Sequence, residues 1–180
     1  MALARISIAE QPFVRVDLAD VLRNVVSDLE VEIEQEGVHL HVGALPTIEA
    51  DPLQMRQLLQ NLLDNALKFR RPDAAPVVQI HGELLGASGG RPRGHSRFGK
   101  SCRIMVEDNG VGFDETYLDR IFQVFQHLHR RDEHAGTGMG LAICRKIAER
   151  HGGEIFARST LGRGSTFIVT LPVAHKKETN

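Results

Sequence analysis

The chain has 180 residues, and with 42% hydrophobic side chains it can bury a core as one domain. Its net charge of −1 argues against bulk electrostatic attraction to nucleic acid or a membrane, and no apolar run approaches membrane-spanning length. No secretory signal is visible, and neither cysteine belongs to a CxxC pair. We therefore expect a cytoplasmic domain with reduced thiols that contacts neither nucleic acid nor membrane.

The first part of the chain predicts two strands and two long helices. Asp51 is a capping residue before Pro52 and Gln54, a pattern typical of a helix N-terminus. In chain order the predicted elements are a strand (residues 13–17), a helix (18–36), a strand (38–42) and a helix from Asp51 to about Phe69.

The second part predicts four more strands and two helices. Strands at 77–85 and 101–107 flank a Gly-, Ser- and Arg-rich loop at 86–100, which is long for a hairpin connection. A short helix is expected at 115–122, and a longer one at 141–151, stopped by Gly152 and Gly153. Residues 154–159 and 165–171 predict a final hairpin. The whole chain therefore reads as a mixed α/β domain.

Two glycine-rich segments carry most of the functional signal. DNGVGFD (108–114) and GTGMGLAIC (136–144) contain glycines at every second position, which lets the backbone approach a ligand closely. The second segment runs into the predicted helix at 141–151, so its amides would lie at a helix N-terminus, where the dipole favours anions. A carboxylate such as Asp108 at a strand end can accept a hydrogen bond from the adenine amino group, and the alternative is a structural salt bridge. Together these segments predict a nucleotide pocket.

A third group lies on the helix that begins at Asp51. In NLLDNALKF (61–69), Asn61, Asn65 and Lys68 project from one face of the helix. Amide oxygens and an ammonium group can help to hold hydrated Mg²⁺ and to neutralise phosphate oxygens. The alternative is an ordinary solvated helix face.

A fourth pattern, GHSRFGKS (94–101), matches the P-loop formula but lies in the wrong context. A P-loop follows a buried strand and opens a helix, whereas this match leads into the strand-like SCRIMVED. We expect a solvated hairpin loop here, which could contact a partner.

In order and spacing, these motifs resemble those of the catalytic ATP-binding domain of sensor histidine kinases. The asparagine box, the two glycine boxes, a phenylalanine box (121–147, overlapping the second glycine box) and a terminal hairpin, GRGSTFIVTLP (162–172), are all present. The superfamily includes gyrase, MutL repair proteins and a heat-shock chaperone. The resemblance implies a two-layer α/β (α+β) sandwich of the Bergerat type, in which helices back a mixed, mainly antiparallel sheet, and it implies ATP and Mg²⁺ as cofactors.

The resemblance also implies roles for individual residues. Asp108 would accept a hydrogen bond from the adenine amino group, above a floor shaped by Gly110 and Gly112. Asn65 would ligate Mg²⁺. Asn61 and Lys68 would approach the metal and the phosphates as the catalytic pair. A lid (126–136), anchored by Phe122 and Phe125, would bring Arg130 or Arg131 to the nucleotide, and Thr166 would lie near the adenine. The phosphates would be surrounded by Gly136, Thr137, Gly138, Met139, Gly140 and Leu141. A solvated lid surface is the alternative for the two arginines.

The residue at position 61 distinguishes hydrolysis of ATP from phosphoryl transfer to a protein side chain. Hydrolytic members of the superfamily place a glutamate here, whereas histidine kinases commonly carry asparagine, which cannot accept a proton from water. Asp64 or Glu107 could in principle act as the base instead. A kinase domain is therefore expected, with a non-catalytic ATP-dependent regulatory module or a gyrase- or MutL-type ATPase as alternatives.

The expected phosphoacceptor is missing from the sequence. In histidine kinases it lies on a helical hairpin and is usually followed by an acidic residue, but none of the nine histidines here has Asp or Glu next. We expect residues 1–12 to be the remnant of a linker from that hairpin, 13–173 to form the catalytic domain and 174–180 to be a tail. The hairpin domain and a downstream response regulator are the expected partners. The full-length protein is expected to be a homodimer, with a membrane anchor elsewhere in it as an open alternative. His127 and His129 in the lid also suggest a metal pair, but no further ligands complete a tetrahedral shell.

Overall fold

The computed structural model describes residues 10–86, 100–123 and 139–175. Within these ranges the strands are β1 (Val14–Asp17), β2 (His39–Val42), β3 (Thr47–Ala50), β4 (Val77–Leu85), β5 (Ser101–Asp108), β6 (Glu154–Thr160) and β7 (Gly164–Pro172). The helices are α1 (Leu18–Asp28), α2 (Glu30–Gln35), α3 (Pro52–Lys68), α4 (Leu118–Ile121) and α5 (Gly140–Arg150), with a 3₁₀ turn at Glu115–Tyr117 before α4.

The main sheet has five strands in the order β2-β4-β5-β7-β6. The β2–β4 pair is parallel and the other three pairs are antiparallel. Its apolar side chains alternate along β5 and β7, where Ile104 and Val106 lie opposite Val169 and Phe167. These residues share one buried cluster with apolar side chains of α1, α3 and α5. The expected fold, a mixed and mainly antiparallel sheet backed by helices, is confirmed.

Helix α3 forms for the reasons that the sequence indicates. The Asp51 carboxylate accepts from the backbone N–H groups of Leu53 and Gln54 at 3.0 and 3.2 Å, and Pro52 occupies the first helical turn. Asp51 itself is completely buried, and Arg150 pairs with it at 3.0 Å. The predicted start is therefore confirmed, and the cap is held by a buried ion pair that the local sequence does not reveal.

Next to this cap, the ring of His151 joins α5 to α3. Its Nε2 accepts from the backbone N–H of Asp51 at 3.1 Å, so Nδ1 carries the proton and donates to the carbonyl of Ile147 at 2.8 Å. The ring of Phe13 stacks on it with centroids 4.6 Å apart. Burial lowers the pKa of His151, which agrees with a neutral ring.

Two parts of the predicted secondary structure are wrong. The helix expected at 18–36 is interrupted at Leu29, whose φ of −102° and ψ of 5° depart from helical values, so α1 ends at Asp28 and α2 begins at Glu30. Strand β3 was not predicted; it pairs antiparallel with β1, with Val14 opposite Ala50.

Both cysteines are free, as expected, and both are buried. None of the helices in the described part of the chain is long and apolar enough to cross a membrane.

Candidate functional site

Helix α3 forms one side of the candidate site. Leu58, Leu62 and Ala66 are buried in the core, whereas Asn61, Asn65 and Lys68 are half-buried. The spacing of four and three residues places these three side chains along one edge of the helix. No hydrogen bond among the described residues engages the side chain of Asn65. The predicted constellation therefore lies at the border between core and solvent, and the Asn65 amide is available to a ligand.

Asn61 connects α3 to the start of α5. Its side-chain amide donates to the carbonyl of Gly140 at 3.3 Å. Helix α5 begins at Gly140 with Met139 as N-cap, and no side chain of the described residues caps its first amide groups. An uncapped helix N-terminus attracts anions through its free N–H groups and its dipole. Met139, Gly140 and Leu141 therefore lie at a helix N-terminus that favours anions.

The other end of α3 contacts the first glycine-rich segment. The carbonyl of Phe69 accepts from the N–H of Val111 at 2.8 Å. A Cβ added at Gly110 would lie 2.1 Å from that carbonyl oxygen. Glycine is thus required here by contact between two parts of the protein. Since Asn61 and Phe69 are eight residues apart, the two glycine-rich segments meet α3 about 12 Å apart along its axis.

Asp108 ends β5 beside this junction. Its side chain is only 7% exposed, and Oδ1 accepts from the N–H of Gly110 at 2.8 Å. Burial raises the pKa of Asp108 to about 6; hydrogen bonds from the backbone of Gly110 and Ser165 oppose this shift, and the charge of Glu107 adds to it. None of the ion pairs between described residues includes Asp108. The salt-bridge alternative therefore finds no support in the described part of the chain, and the carboxylate remains a hydrogen-bond acceptor in a buried position.

The pairing of β5 with β7 places Ser165, and not Thr166, next to Asp108. Asp108 is the register partner of Ser165, and Glu107 that of Thr166. Paired residues share a face of the sheet and successive residues alternate, so Thr166 lies on the opposite face. The expected position of Thr166 near the adenine stays a prediction, and the register of β7 adds Ser165 as the residue that shares the face of Asp108.

Ser159 is a second residue that the sequence analysis missed. It lies in β6 and is 7% exposed. Its hydroxyl contacts the backbone of Phe113 and Gly164 and the hydroxyl of Ser165. A serine in the last position of a predicted strand gives no sequence signal for such a role.

Gly112 completes the close packing around this corner. It adopts φ +62°, and a Cβ there would lie 2.3 Å from the carbonyl oxygen of Thr160. The turn after β6 is fixed to the same segment, since the N–H of Gly162 donates to the carbonyl of Val111 at 2.6 Å. Together with Gly110, this glycine shapes a rigid wall at the Asp108 end of the site.

The two alternative bases differ in position. Glu107 is exposed and, by alternation along β5, faces the other side of the sheet from Asp108. Asp64 is half-buried on α3, three residues after Asn61, and burial and the nearby charge of Glu32 raise the pKa of its carboxyl. Glu107 therefore lies away from the site, whereas Asp64 stays a candidate base.

Several predicted site residues lie outside the described residues: Arg130, Arg131, Gly136, Thr137 and Gly138, together with Phe125 and the histidines of the lid. Phe122 is described and buried, with its ring edge-on to that of Phe167 at 6.4 Å. Within the described ranges, no group of three His, Cys, Asp or Glu residues could hold a metal ion. The P-loop pattern ends at Ser101, the first residue of β5, so no helix follows it and the pattern is not a P-loop.

Comparison with known proteins identifies the family. Residues 50–175 match the family described as histidine kinase-, DNA gyrase B- and HSP90-like ATPases. Phytochrome-like protein Cph1 of Synechocystis sp. is 39% identical over 159 residues, which cover 88% of this chain and 19% of that protein. Adaptive-response sensory kinase SasA of Synechococcus elongatus is 36% identical over 132 residues, which cover 73% of this chain and 30% of that protein. The chain thus spans less than a third of either relative.

Solved structures agree with this assignment. The full-length ShkA structure in complex with AMPPNP superposes with a TM-score of 0.72 at 28% identity, covering 94% of this chain and 33% of that one. A nucleotide-free catalytic domain of histidine kinase ThkA gives a TM-score of 0.72 at 26% identity, covering 91% and 97%. The description of the family as ATPases supports ATP as the nucleotide. The chain belongs to the family of histidine kinase-, DNA gyrase B- and HSP90-like ATPases, and its resemblance to the ATP-binding catalytic domain of sensor histidine kinases is confirmed.

Proposed function

We propose that this domain holds Mg-ATP for phosphoryl transfer to a histidine on a separate helical hairpin. The observation that carries this proposal is the hydrogen bond from the Asn61 amide to the Gly140 carbonyl at the start of α5. It puts a donor without basic character at the phosphate end of the site. An ionised glutamate at this position could not donate to that carbonyl, and asparagine cannot take a proton from water.

At the adenine end of the site, Asp108 would accept a hydrogen bond from the adenine amino group. The carboxylate is buried, and its hydrogen bonds to Gly110 and Ser165 fix its orientation. The wall formed by Gly110 and Gly112 would lie beneath the purine. In addition to Thr166, we propose Ser165 as a strand β7 residue near the adenine, because it shares the face of Asp108.

At the phosphate end, the backbone of residues 136–141 would bind the phosphate oxygens. The uncapped amides at the start of α5 supply donors and a favourable dipole. Lys68, half-buried on α3, would add a positive charge, and Arg130 or Arg131 would approach from the lid. These groups position the phosphates and neutralise their charge, which is the main requirement for phosphoryl transfer.

The oxygen ligands that α3 offers suit Mg²⁺. Magnesium takes few protein oxygens and keeps water and phosphate ligands, so one half-buried amide oxygen, that of Asn65, fits this requirement. When bound, the ion would neutralise phosphate charge; Asn65 would hold it, and Asn61 would keep the start of α5 against the same edge of α3.

The partners and the full-length arrangement are part of the same proposal. The relatives are named as a phytochrome-like protein and a sensory kinase, and they are much longer than this chain. We propose residues 13–173 as the catalytic domain, residues 1–12 as part of a linker from the hairpin domain and residues 174–180 as a tail. Packing of Gln11 against Asp51 and of His175 against Glu49 extends the folded unit slightly at both ends. A response regulator, a homodimeric full-length protein and a cytoplasmic position for this domain complete the proposal.

The proposal is tested against the ATPase alternative by phosphate release from the isolated chain. With Mg-ATP at saturating concentration, we expect binding without multiple-turnover release of phosphate. Steady release of phosphate over many turnovers would show a hydrolase. The regulatory-module alternative predicts binding without transfer to any hairpin.

A further inference from the structure

We propose that Ser159 is a positioning residue that orients the proton of the Ser165 hydroxyl toward itself. The nucleobase site thereby becomes selective for adenine over 6-oxo purines. This inference rests on the proposed binding of adenine at Asp108. It assigns a role to a residue of β6 that lies behind the site.

The hydroxyl of Ser159 lies at the meeting point of three segments. It is 2.8 Å from the backbone nitrogen of Phe113, 2.9 Å from the carbonyl oxygen of Gly164 and 3.1 Å from the hydroxyl oxygen of Ser165. With only 7% of the residue exposed, water does not compete well for these contacts. The hydroxyl thus joins the segment after β5 to the start of β7.

Counting protons fixes the direction of each bond. A serine hydroxyl has one proton to donate and two lone pairs. The Gly164 carbonyl can only accept, so it takes the proton of Ser159, and the N–H of Phe113 uses one lone pair. The bond between the two hydroxyls is then complete only when Ser165 donates to the remaining lone pair of Ser159.

As a result, Ser165 has only lone pairs left for a ligand. Its register partner on the same face is Asp108, whose carboxylate is also an acceptor. The site therefore presents two acceptors side by side. The 6-amino group of adenine is a donor and satisfies them, whereas the 6-oxo group of hypoxanthine or guanine is an acceptor and is repelled. Without Ser159, the Ser165 hydroxyl could turn and donate to a 6-oxo group.

The test compares ADP with IDP, which carries a 6-oxo group in place of the amino group. Calorimetry at pH 7.5 would measure both affinities for the wild type, Ser159→Ala and Ser165→Ala. We expect each variant to lower the ratio of ADP to IDP affinity roughly five- to tenfold, the worth of about one hydrogen bond. We expect the double variant to lower it no further, because Ser159 acts through Ser165.

Ser101→Ala is the matched control, since Ser101 is a buried serine at the far end of β5. It should leave the ratio unchanged. Ser159→Thr retains the hydroxyl and should keep the wild-type ratio. If Ser159→Ala does not fold, the Ser165→Ala ratio decides alone.

Equal weakening of both nucleotides by Ser159→Ala, or an unchanged ratio in Ser165→Ala, would show that the serine pair has only a structural role and would overturn the inference. Failure of the proposed function looks different: the wild type would not bind ADP, or Asp108→Asn would bind it as well as the wild type does.

Discussion

Replacing Asp108 with asparagine tests the base end of the site with little change in shape. The amide oxygen of asparagine can still accept from the N–H of Gly110, which lies 2.8 Å from the carboxylate now. What is lost is the negative charge that would accept from the adenine amino group. A hydrogen bond to a charged group contributes on the order of 1.5–3 kcal/mol, so ADP affinity should fall about 10- to 150-fold.

The same substitution should not unfold the protein. The pKa of Asp108 rises from 3.8 to about 6 through burial, so keeping this carboxylate ionised near pH 7 costs on the order of 3 kcal/mol. A raised native pKa contributes stability that is present below pH 3.8 and is lost as the pH rises through about 6. Near neutral pH the uncharged asparagine should therefore be at least as stable as the wild type.

Calorimetric titration with ADP, combined with denaturant unfolding, measures both effects. Between pH 7.5 and 5, wild-type affinity should fall as Asp108 takes up a proton, and the affinity of Asp108→Asn should show a smaller pH dependence. The difference between the two proteins removes the titration of the nucleotide itself. A folded Asp108→Asn variant with wild-type ADP affinity would refute the assignment of this carboxylate.

Three further predictions test other parts of the account. Asn65→Ala should slow phosphoryl transfer by at least about tenfold while leaving ADP affinity without magnesium unchanged, as measured by transfer kinetics and calorimetry. Gly112→Ala should destabilise the domain by roughly 2–4 kcal/mol in denaturant unfolding, because the added Cβ would meet a backbone oxygen. Gly162→Ala is the control: Gly162 has φ +79° but open space around it, so the substitution should cost about 1–2 kcal/mol. Burial lowers the pKa of His151 below 6.5, so the stability that the neutral ring contributes is present above pH 6.5 and is lost as the pH falls. Between pH 7.5 and 5.5 the free energy of unfolding should therefore fall less in His151→Gln than in the wild type. An equal fall in both proteins would contradict the neutral ring.

Local chemistry explains which features the sequence predicts well. The start of α3 follows from Asp51, Pro52 and Gln54, and the stop of α5 from the glycines after it, because capping depends on neighbouring residues. The edge of α3 that carries Asn61 and Lys68 follows from helical spacing alone. Asp108 is recognisable because a carboxylate at a strand end stands next to glycines.

Long-range packing explains what the sequence could not show. The choice between Ser165 and Thr166 depends on the register of β7 against β5, and a shift by one residue exchanges the faces. Ser159 acquires its role only when β6 and β7 pair. The glycines of the first motif were interpreted as ligand contacts, but Gly110 is also required by the carbonyl of Phe69, which lies far away in sequence.

The central claim is tested most directly by following phosphate from labelled ATP to protein. The chain would be incubated with Mg-ATP labelled at the γ-phosphate, alone and with the helical hairpin domain of the same full-length kinase. We expect acid-labile, base-stable phosphate on a histidine of the hairpin and none on the chain itself, with slow transfer because an unlinked hairpin lacks the effective concentration of a tethered one. Stable label on the isolated chain, or no label on the hairpin although Mg-ATP binds, would contradict the account.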